Sequence, residues 1–174
     1  MNADDSNALW TARVIVLKRS AKTTKGGRRF SFGALIVIGD TRGHVGLGWG
    51  KSGEVAAAIQ KGEAAAVAQK VHVPLRSGRI PHDVQGRYCG ATVLPKPAPK
   101  GTGIIASKPV REVLECAGVK DVVSKSLGAR NPANVAKATL EALLSLRPRA
   151  EQPRLPIVKL SDFGGGKSDP LALN

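Results

Sequence analysis

Two apolar stretches joined by a short polar turn constrain the fold of this chain most strongly. Residues Phe30–Gly39 read "FSFGALIVIG", which is rich in the β-branched and aromatic residues that favour strands. The next four, "DTRG" (Asp40–Gly43), begin with Asp and end with Gly, as β-turns often do. "HVGLGWG" (His44–Gly50) is then predicted to form a strand antiparallel to the first. An earlier strand is predicted in "RVIVL" (Arg13–Leu17).

A helix is predicted directly after this hairpin. "EVAAAIQKGEAAAVAQK" (Glu54–Lys70) consists mostly of strong helix formers. Ser52 is a suitable N-cap, and Glu54 would lie in the first turn, where a negative charge is favourable. Gly62 costs about 1 kcal/mol relative to alanine inside a helix, which predicts close packing at that point. The first unit therefore has the predicted order β-β-β-α.

The hairpin also resembles a phosphate-binding loop, because "GHVGLGWGKS" (Gly43–Ser52) is rich in glycine and ends in Gly-Lys-Ser. The P-loop spacing fails, since it requires a glycine where Val45 stands. A dinucleotide fingerprint does match, at Gly48, Gly50 and Gly53. It needs a parallel β-α-β unit and an acidic residue after the next strand, and the sequence predicts neither.

Two readings of these glycines therefore stay open. Arg76 could suit a phosphorylated ribose, which keeps a nucleotide-dependent oxidoreductase as one alternative. In the other reading, Gly46, Gly48 and Gly50 leave one face of the strand bare while larger residues fill the opposite face. A bare face lets another backbone approach closely, and in a basic protein that backbone could be a sugar-phosphate chain.

The second half predicts the order β-β-α-β-α. Two short strands are expected within Arg79–Pro97, followed by a Pro/Gly loop. A helix capped by Ser107 ends at Gly118, and Val119–Gly128 is predicted to be a strand or a strand with a loop. Asn131-Pro132 opens a last helix that closes before Pro148. The helix residues predicted to face the core are Val110, Val113, Leu114, Ala117, Val135, Ala138, Ala142 and Leu146.

The formal net charge of +14 indicates a polyanionic partner, because a chain so charged repels itself unless its charge is neutralised. Residues 10–76 hold 12 Lys/Arg against 3 Asp/Glu, and residues 77–150 hold 12 against 5. No apolar run is long enough to span a membrane, and no targeting segment is visible. Nucleic acid is therefore the expected partner.

Catalysis and metal binding find little support in the sequence. Cys89 and Cys116 lack metal-type spacing and are expected to be reduced thiols of a cytosolic protein. The three histidines are scattered, and Asp83 beside His82 is interpreted as structural. We expect no enzyme, no metal and no cofactor.

The stretch "KRSAKTTKGGRR" (Lys18–Arg29) places six cations in twelve residues without an acid, and is predicted to be a basic hairpin with a flexible tip whose cations contact phosphates. Gly26 and Gly27 let its backbone bend close to a ligand. Aromatic residues make up only 3% of the chain, so we expect shape-based binding of structured RNA rather than base-stacking platforms.

Two longer stretches resemble the bacterial small-subunit ribosomal protein family called S-five. "KGGRRFSFGALIVIGDTRGHVGLGWGKSGEVAAAIQKG" is similar to the signature of its first domain, and "GTGIIASKPVREVLECAGVKDVVSKSLGARNPANVAKATLEAL" to its second. The resemblance implies an α+β fold. It consists of an N-terminal β-β-β-α domain like a double-stranded-RNA-binding fold and a C-terminal β-β-α-β-α domain with a left-handed β-α-β unit.

The resemblance also implies a domain division. It gives a short arm in residues 1–9, the RNA-binding-like domain in 10–73, the second domain in 74–149, and a tail in 150–174 that has no counterpart in the family and is expected to be extended or disordered. The implied localisation is cytoplasmic, in the small ribosomal subunit. A free-standing regulator that binds double-stranded RNA remains the alternative.

The implied functional residues form two sets. The family's rRNA contacts fall on the basic stretch and on the end of the third strand, and its loop lies beside the spectinomycin site. Ala21 matches the loop beside the spectinomycin site, and the matching RNA-binding residues are Lys18, Arg19, Ser20, Lys22, Lys25, Gly26, Gly27, Arg28, Arg29 and Lys51. The second set matches a contact with the neighbouring small-subunit protein number four: Gly101, Thr102, Gly103, Ile104 and Arg111. Protein number eight is a further implied partner, and accuracy at the decoding region is the implied role.

Overall fold

Residues 10–75 and 78–147 are described by a computed structural model of the chain, and within them two sheets are each backed by helices. The arm in residues 1–9 and the tail in 150–174 lie outside these residues. The first sheet has the order β1-β2-β3-β4, with β1 at Thr11–Thr24, β2 at Gly27–Gly39, β3 at His44–Ser52 and β4 at Val71–His72. Helix α1 (Val55–Ala68) connects β3 to β4.

The first two strands are much longer than predicted. They pair antiparallel from Thr11 opposite Gly39 to Thr24 opposite Gly27, with one irregularity between Val14 and Val16. The basic hairpin predicted at Lys18–Arg29 is therefore a paired two-stranded ribbon almost to its turn. The full length of the two strands was not predicted, because strand patterns are recognised from apolar residues and this stretch is rich in lysine and arginine.

Helix α1 packs across one face of the first sheet. Ala34, Ile36 and Ile38 of β2 form a small buried cluster there with Ala58 and Ala66 of the helix. On the opposite face, alternate residues of β2 and β3 belong to a larger cluster shared with the second half of the chain.

The bare strand face of β3 is covered by the backbone of this helix, not by a ligand. A Cβ atom added at Gly46, Gly48 or Gly50 would lie 1.9–2.2 Å from the nearest helix carbonyl oxygen. The expectation that a sugar-phosphate chain approaches these glycines is therefore wrong. Gly62 does pack closely, as predicted, since its added Cβ would lie 2.8 Å from Ile36 Cδ1.

The predicted start of α1 is also wrong. Glu54 occupies the N-cap position with extended backbone angles, and its side chain makes no capping hydrogen bond. Ser52 instead ends β3, opposite Phe32 of β2. The strand continues two residues past the point where glycine alternation ends, so the helix begins later than the serine indicated.

The second sheet has the order β5-β6-β8-β7. Its elements are β5 (Gly86–Tyr88), β6 (Ala91–Pro97), β7 (Ile104–Ile105), α2 (Lys108–Ala117), β8 (Val122–Gly128) and α3 (Pro132–Leu144). The short β7 pairs in parallel with β8, so α2 is the crossover of a β-α-β unit, which the family resemblance implied but the strand and helix patterns did not show. All eight helix residues predicted to face the core are buried. The predicted α+β class is confirmed.

Helix ends in this half follow the sequence signals closely. Asn131 caps α3, with its side chain accepting a hydrogen bond of 3.2 Å from the Ala133 N–H. Ser107 occupies the N-cap of α2, although its hydroxyl makes no capping hydrogen bond. Gly118 ends α2 in the left-handed conformation, with φ of 91°.

The two sheets are joined where the β2–β3 turn meets the end of α2. The Thr41 N–H donates to the Cys116 carbonyl at 3.1 Å, and the Gly43 N–H donates to the Ala117 carbonyl at 3.0 Å. A Cβ at Gly118 would lie 2.0 Å from the Thr41 oxygen, so only glycine fits there. Because one apolar cluster spans both halves, the two domains stabilise each other.

Candidate nucleic-acid interface

Exposed cations are concentrated at the free end of the β1–β2 hairpin, which we call the basic ribbon (residues 18–31). Strand β3 pairs with β2 only as far as Phe32, so beyond that point the hairpin consists of two strands. The predicted RNA-binding residues between Lys18 and Arg29 are all exposed. The structure thus brings these residues together on one projecting element.

Strand register divides the ribbon into two faces, because residues directly opposite each other point to the same side of a sheet. Lys22 lies opposite Arg29. Lys18 lies opposite Gly33, which in turn lies opposite Lys51 on β3. The lysine face therefore comprises Lys18, Lys22, Arg29 and Lys51.

The other side carries different chemistry. Arg19 lies opposite Phe32, Ala21 lies opposite Phe30, and Thr23 lies opposite Arg28. This side is continuous with the sheet face covered by α1, since Ala34 belongs to the cluster under that helix. We call Arg19, Arg28 and Phe30 the aromatic face. Of the predicted RNA-binding residues, Arg19 and Arg28 lie here.

The ribbon's charges are not neutralised by the described part of the chain. No ion pair joins its cations to an acidic side chain in residues 10–75 and 78–147. Lys22 and Arg29 are directly opposed, and like charges in that position destabilise a strand pair. Such an arrangement favours binding of a polyanion, which would remove the repulsion.

The tip and the edges of the ribbon are held by its own backbone. Lys25 and Gly26 form the turn, and the Thr24 hydroxyl donates to the Gly27 carbonyl at 3.1 Å. A Cβ at Gly26 or Gly27 would meet no atom within 4 Å, so this backbone is open to a ligand. The Ser20 hydroxyl donates to the Ser31 carbonyl at 3.3 Å, across the strand pair.

The second predicted set lies in the loop before α2, at the other sheet. Gly101 and Gly103 have φ of 94° and 72°, and a Cβ on either would meet no atom within 4 Å. Their N–H groups donate to the Asp121 Oδ1 at 2.9 and 3.1 Å. The hydrogen bond from Gly103 does most to hold the pKa of Asp121 below its ordinary value, and burial opposes it. Arg79 Nε lies 3.5 Å from the other oxygen of that carboxyl.

The other residues of this set are Thr102, between the two glycines, and Ile104 and Arg111 after them. Ile104 is partly buried and packs against the large cluster, whereas Ile105 is 53% exposed. The Arg111 guanidinium is exposed and donates to the Ile104 carbonyl at 3.3 Å. The Thr102 hydroxyl donates to the Pro99 carbonyl at 2.9 Å. The loop therefore exposes the backbone of its two glycines and the side chains of Ile105 and Arg111.

Sequence reasoning missed a groove between the two sheets. Trp49 is among the larger residues predicted to fill a strand face, yet it is 50% exposed and lines a cavity of about 330 Å³ with Leu35, Tyr88 and Lys137. The Lys137 Nζ lies 3.2 Å from the Tyr88 hydroxyl and 4.8 Å from the ring centre. No local pattern could have found it, because its walls come from distant elements.

Other chemistries find no site in the described part of the chain. No group of three or more His, Cys, Asp and Glu side chains could hold a metal ion there. Burial raises the pKa of the Cys116 thiol to about 11, so the thiol stays protonated at neutral pH. Among the described helices, none is long and apolar enough to cross a membrane.

Comparison with known proteins matches both halves to one family. The model of "Ribosomal protein S5, N-terminal domain" matches residues 10–74, and that of "Ribosomal protein S5, C-terminal domain" matches residues 86–154. The small ribosomal subunit protein uS5 of Thermus thermophilus is 48% identical over 143 residues, covering 82% of this chain and 88% of the relative. The same protein from two individual strains of that species gives the same values.

Proposed function

The chain belongs to the ribosomal protein S5 family of the small subunit, and from that premise we propose that its basic ribbon binds small-subunit rRNA. The observation that carries the proposal is the ribbon itself, with six exposed cations that no acid of the described residues neutralises. Lysine and arginine at such a tip contact phosphates, which fixes position without reading sequence.

The lysine face gives this binding a direction. Lys18 on β1 and Lys51 on β3 flank Gly33 of the strand between them, while Lys22 and Arg29 stand farther out on the ribbon. A row of cations along one face can follow the phosphates of an RNA strand, as in other backbone-tracking proteins. Lys25 and the open glycines Gly26 and Gly27 extend this contact to the tip.

The second part of the proposal concerns the loop before α2. Gly101, Thr102, Gly103, Ile104 and Arg111 contact a neighbouring small-subunit protein, and the family resemblance points to protein number four. Arginine is enriched at the energetic centres of interfaces, and open glycine backbone allows close approach. Through this contact and through protein number eight, the chain supports subunit assembly and the accuracy of decoding.

The relatives are structural ribosomal proteins, and the family is not enzymatic. This agrees with the prediction that the chain is no enzyme. Of the three glycines that matched a dinucleotide fingerprint, Gly48 and Gly50 are covered by α1, so a nucleotide cannot approach them there. A free-standing regulator is not favoured, because the relatives are named as small-subunit proteins.

A salt series tests the RNA proposal. The wild type and the single variants Lys18→Ala, Lys22→Ala, Arg29→Ala and Lys51→Ala are titrated with small-subunit rRNA at several salt concentrations. Each variant is expected to reduce the log–log salt slope by about one. Lys61→Ala is the matched control, because Lys61 is exposed and belongs to α1 rather than to the ribbon. Equal slopes in all five variants would argue against the ribbon as the binding element.

A further inference from the structure

The aromatic face of the ribbon carries an exposed ring that the fold does not use. Phe30 is 46% exposed, and the guanidinium carbon of Arg19 lies 4.8 Å from the centre of its ring. Phe32, two residues farther along the same face, instead packs against the buried cluster under α1. The core therefore ends at Phe32, and Phe30 lies beyond it.

We propose that Phe30 stacks on an unpaired RNA base, while the lysine face of the same ribbon contacts phosphates. This inference rests on the proposed rRNA binding and adds a second kind of contact to it. Arg19 covers one face of the ring and holds its orientation, so the base stacks on the other face. Stacking of a base on an aromatic side chain is sequence-tolerant, since every base has a π face.

The charge around Phe30 selects nucleic acid over an apolar protein surface. Arg19 and Arg28 share its face, and the ribbon contains no acid. A protein partner that covered Phe30 would have to bury both guanidinium groups and supply carboxylates for them. An RNA strand supplies its own phosphates beside the stacked base.

The base must be unpaired, because a continuous duplex hides the faces of its bases. Proteins reach base faces in loops and bulges, where the bases can splay out. A two-stranded ribbon with one stacking side and one cationic side therefore fits a helix interrupted by a bulge or a loop. A low aromatic content excludes a platform of several rings, but a single exposed ring suffices for one base.

Two RNAs test the inference: a fully paired duplex, and the same duplex with a single bulged 4-thiouridine. The wild type is expected to bind the bulged RNA more tightly. Phe30→Leu should weaken binding to the bulged RNA about tenfold and leave binding to the duplex and the salt slope unchanged. Phe30→Trp, which keeps an aromatic ring, should retain the preference.

Lys22→Ala is the matched control on the opposite face of the ribbon. It should weaken binding to both RNAs alike and lower the salt slope by about one. Irradiation of the wild-type complex should join the 4-thiouridine to a peptide that contains Phe30. Far-UV circular dichroism and the thermal midpoint verify that the Phe30 variants are folded.

The outcomes separate the two proposals. If the wild type binds neither RNA, the proposed rRNA binding and this inference both fall. If it binds both RNAs but Phe30→Leu weakens them equally or not at all, or if the crosslink lies only elsewhere, this inference alone is overturned.

Discussion

The glycines of β3 and the glycines of the two exposed loops occupy opposite environments. Gly48 and Gly50 would place a Cβ atom within 2.0 Å of a carbonyl oxygen of α1. Gly26 in the ribbon turn and Gly103 before α2 would place a Cβ in open space. Both groups occur in sequences that resemble ligand-binding loops, yet only the second leaves its backbone accessible.

A glycine pattern therefore shows that another group packs closely against the backbone, but not whether that group is a ligand or another part of the protein. In β3 the closely packed group is the backbone of α1, the helix that follows directly. It can lie this close only because the glycines have no side chains. Gly86 of β5 has the same role in the second sheet, where an added Cβ would lie 2.0 Å from the Ala138 carbonyl of α3. Each sheet therefore uses glycine to bring one helix close.

The largest expected effect is on stability, at Gly48. Gly48→Ala would force α1 away from the sheet, and we expect a loss of about 3 kcal/mol or more in the free energy of unfolding. Gly53→Ala is the matched control from the same stretch, because its Cβ would meet nothing within 4 Å. It should change stability by no more than about 0.5 kcal/mol. Urea unfolding followed by circular dichroism measures both.

Gly48→Ala and Gly53→Ala together also test whether α1 covers the glycine face of β3. If Gly48→Ala were as stable as Gly53→Ala, helix α1 would not lie on the glycine face as described. A glycine face left open in solution would also revive the nucleotide reading, which calorimetry with NADP would then examine.

The next effect concerns register in the basic ribbon. Deleting Lys22 would place Thr23 opposite Arg29 and move the residues between that point and the turn to the other face, because side chains alternate along a strand. Lys22→Ala removes the charge but keeps the faces. In an organism that carries each variant as its only copy, the deletion should alter spectinomycin sensitivity more than the substitution does.

Subunit assembly is measured in the same strains by sedimentation. We expect it to change less than the drug sensitivity in both. Unchanged sensitivity in the deletion strain would remove the reason for placing the ribbon beside the spectinomycin site.

The sequence predicted the strands and helices that carry apolar periodicity, and the positions of the cations. It predicted neither the length of the ribbon nor β7, because lysine-rich strands and two-residue strands leave no hydrophobic pattern. Trp49 and Phe30 were not identified as exposed, since exposure depends on where distant elements end. The two faces of the ribbon required the pairing register, which sequence spacing alone does not fix.

A smaller effect is expected in the loop before α2, where two substitutions distinguish backbone strain at Gly103 from loss of the protein contact at Arg111. Gly103→Ala should cost about 1 kcal/mol in stability, because φ of 72° strains a residue with a Cβ. Arg111→Ala should leave stability almost unchanged and weaken the contact with the neighbouring protein by about 2 kcal/mol. Both variants are expected to raise stop-codon readthrough, which a reporter measures. Normal readthrough in Arg111→Ala subunits that have incorporated the protein and lost the contact would contradict the proposed role.

The smallest effect is the acid sensitivity of that loop. The pKa of Asp121 is lowered in the folded protein, chiefly by the hydrogen bond from Gly103, so its charged form stabilises the fold. This contribution is complete above the ordinary value of 3.8 and is lost as pH falls below it, through the folded pKa. In Asp121→Asn, which cannot ionise, the free energy of unfolding should fall less steeply between about pH 5 and pH 3.

Asp40, in the turn between β2 and β3, is a second carboxyl whose pKa is lowered in the folded protein. Burial alone would raise its pKa, but hydrogen bonds from the N–H groups of Arg42 and His44 outweigh burial and lower it. In Asp40→Asn the free energy of unfolding should therefore also fall less steeply as pH is lowered. The double variant Asp40→Asn/Asp121→Asn should show a shallower fall than either single variant. The turn at Asp40 packs against the end of α2, so Asp40→Asn should also lower stability at neutral pH. Asp121→Asn should chiefly loosen the exposed loop. An acid limb in Asp121→Asn as steep as that of the wild type would mean that the carboxyl does not hold the open glycines in solution.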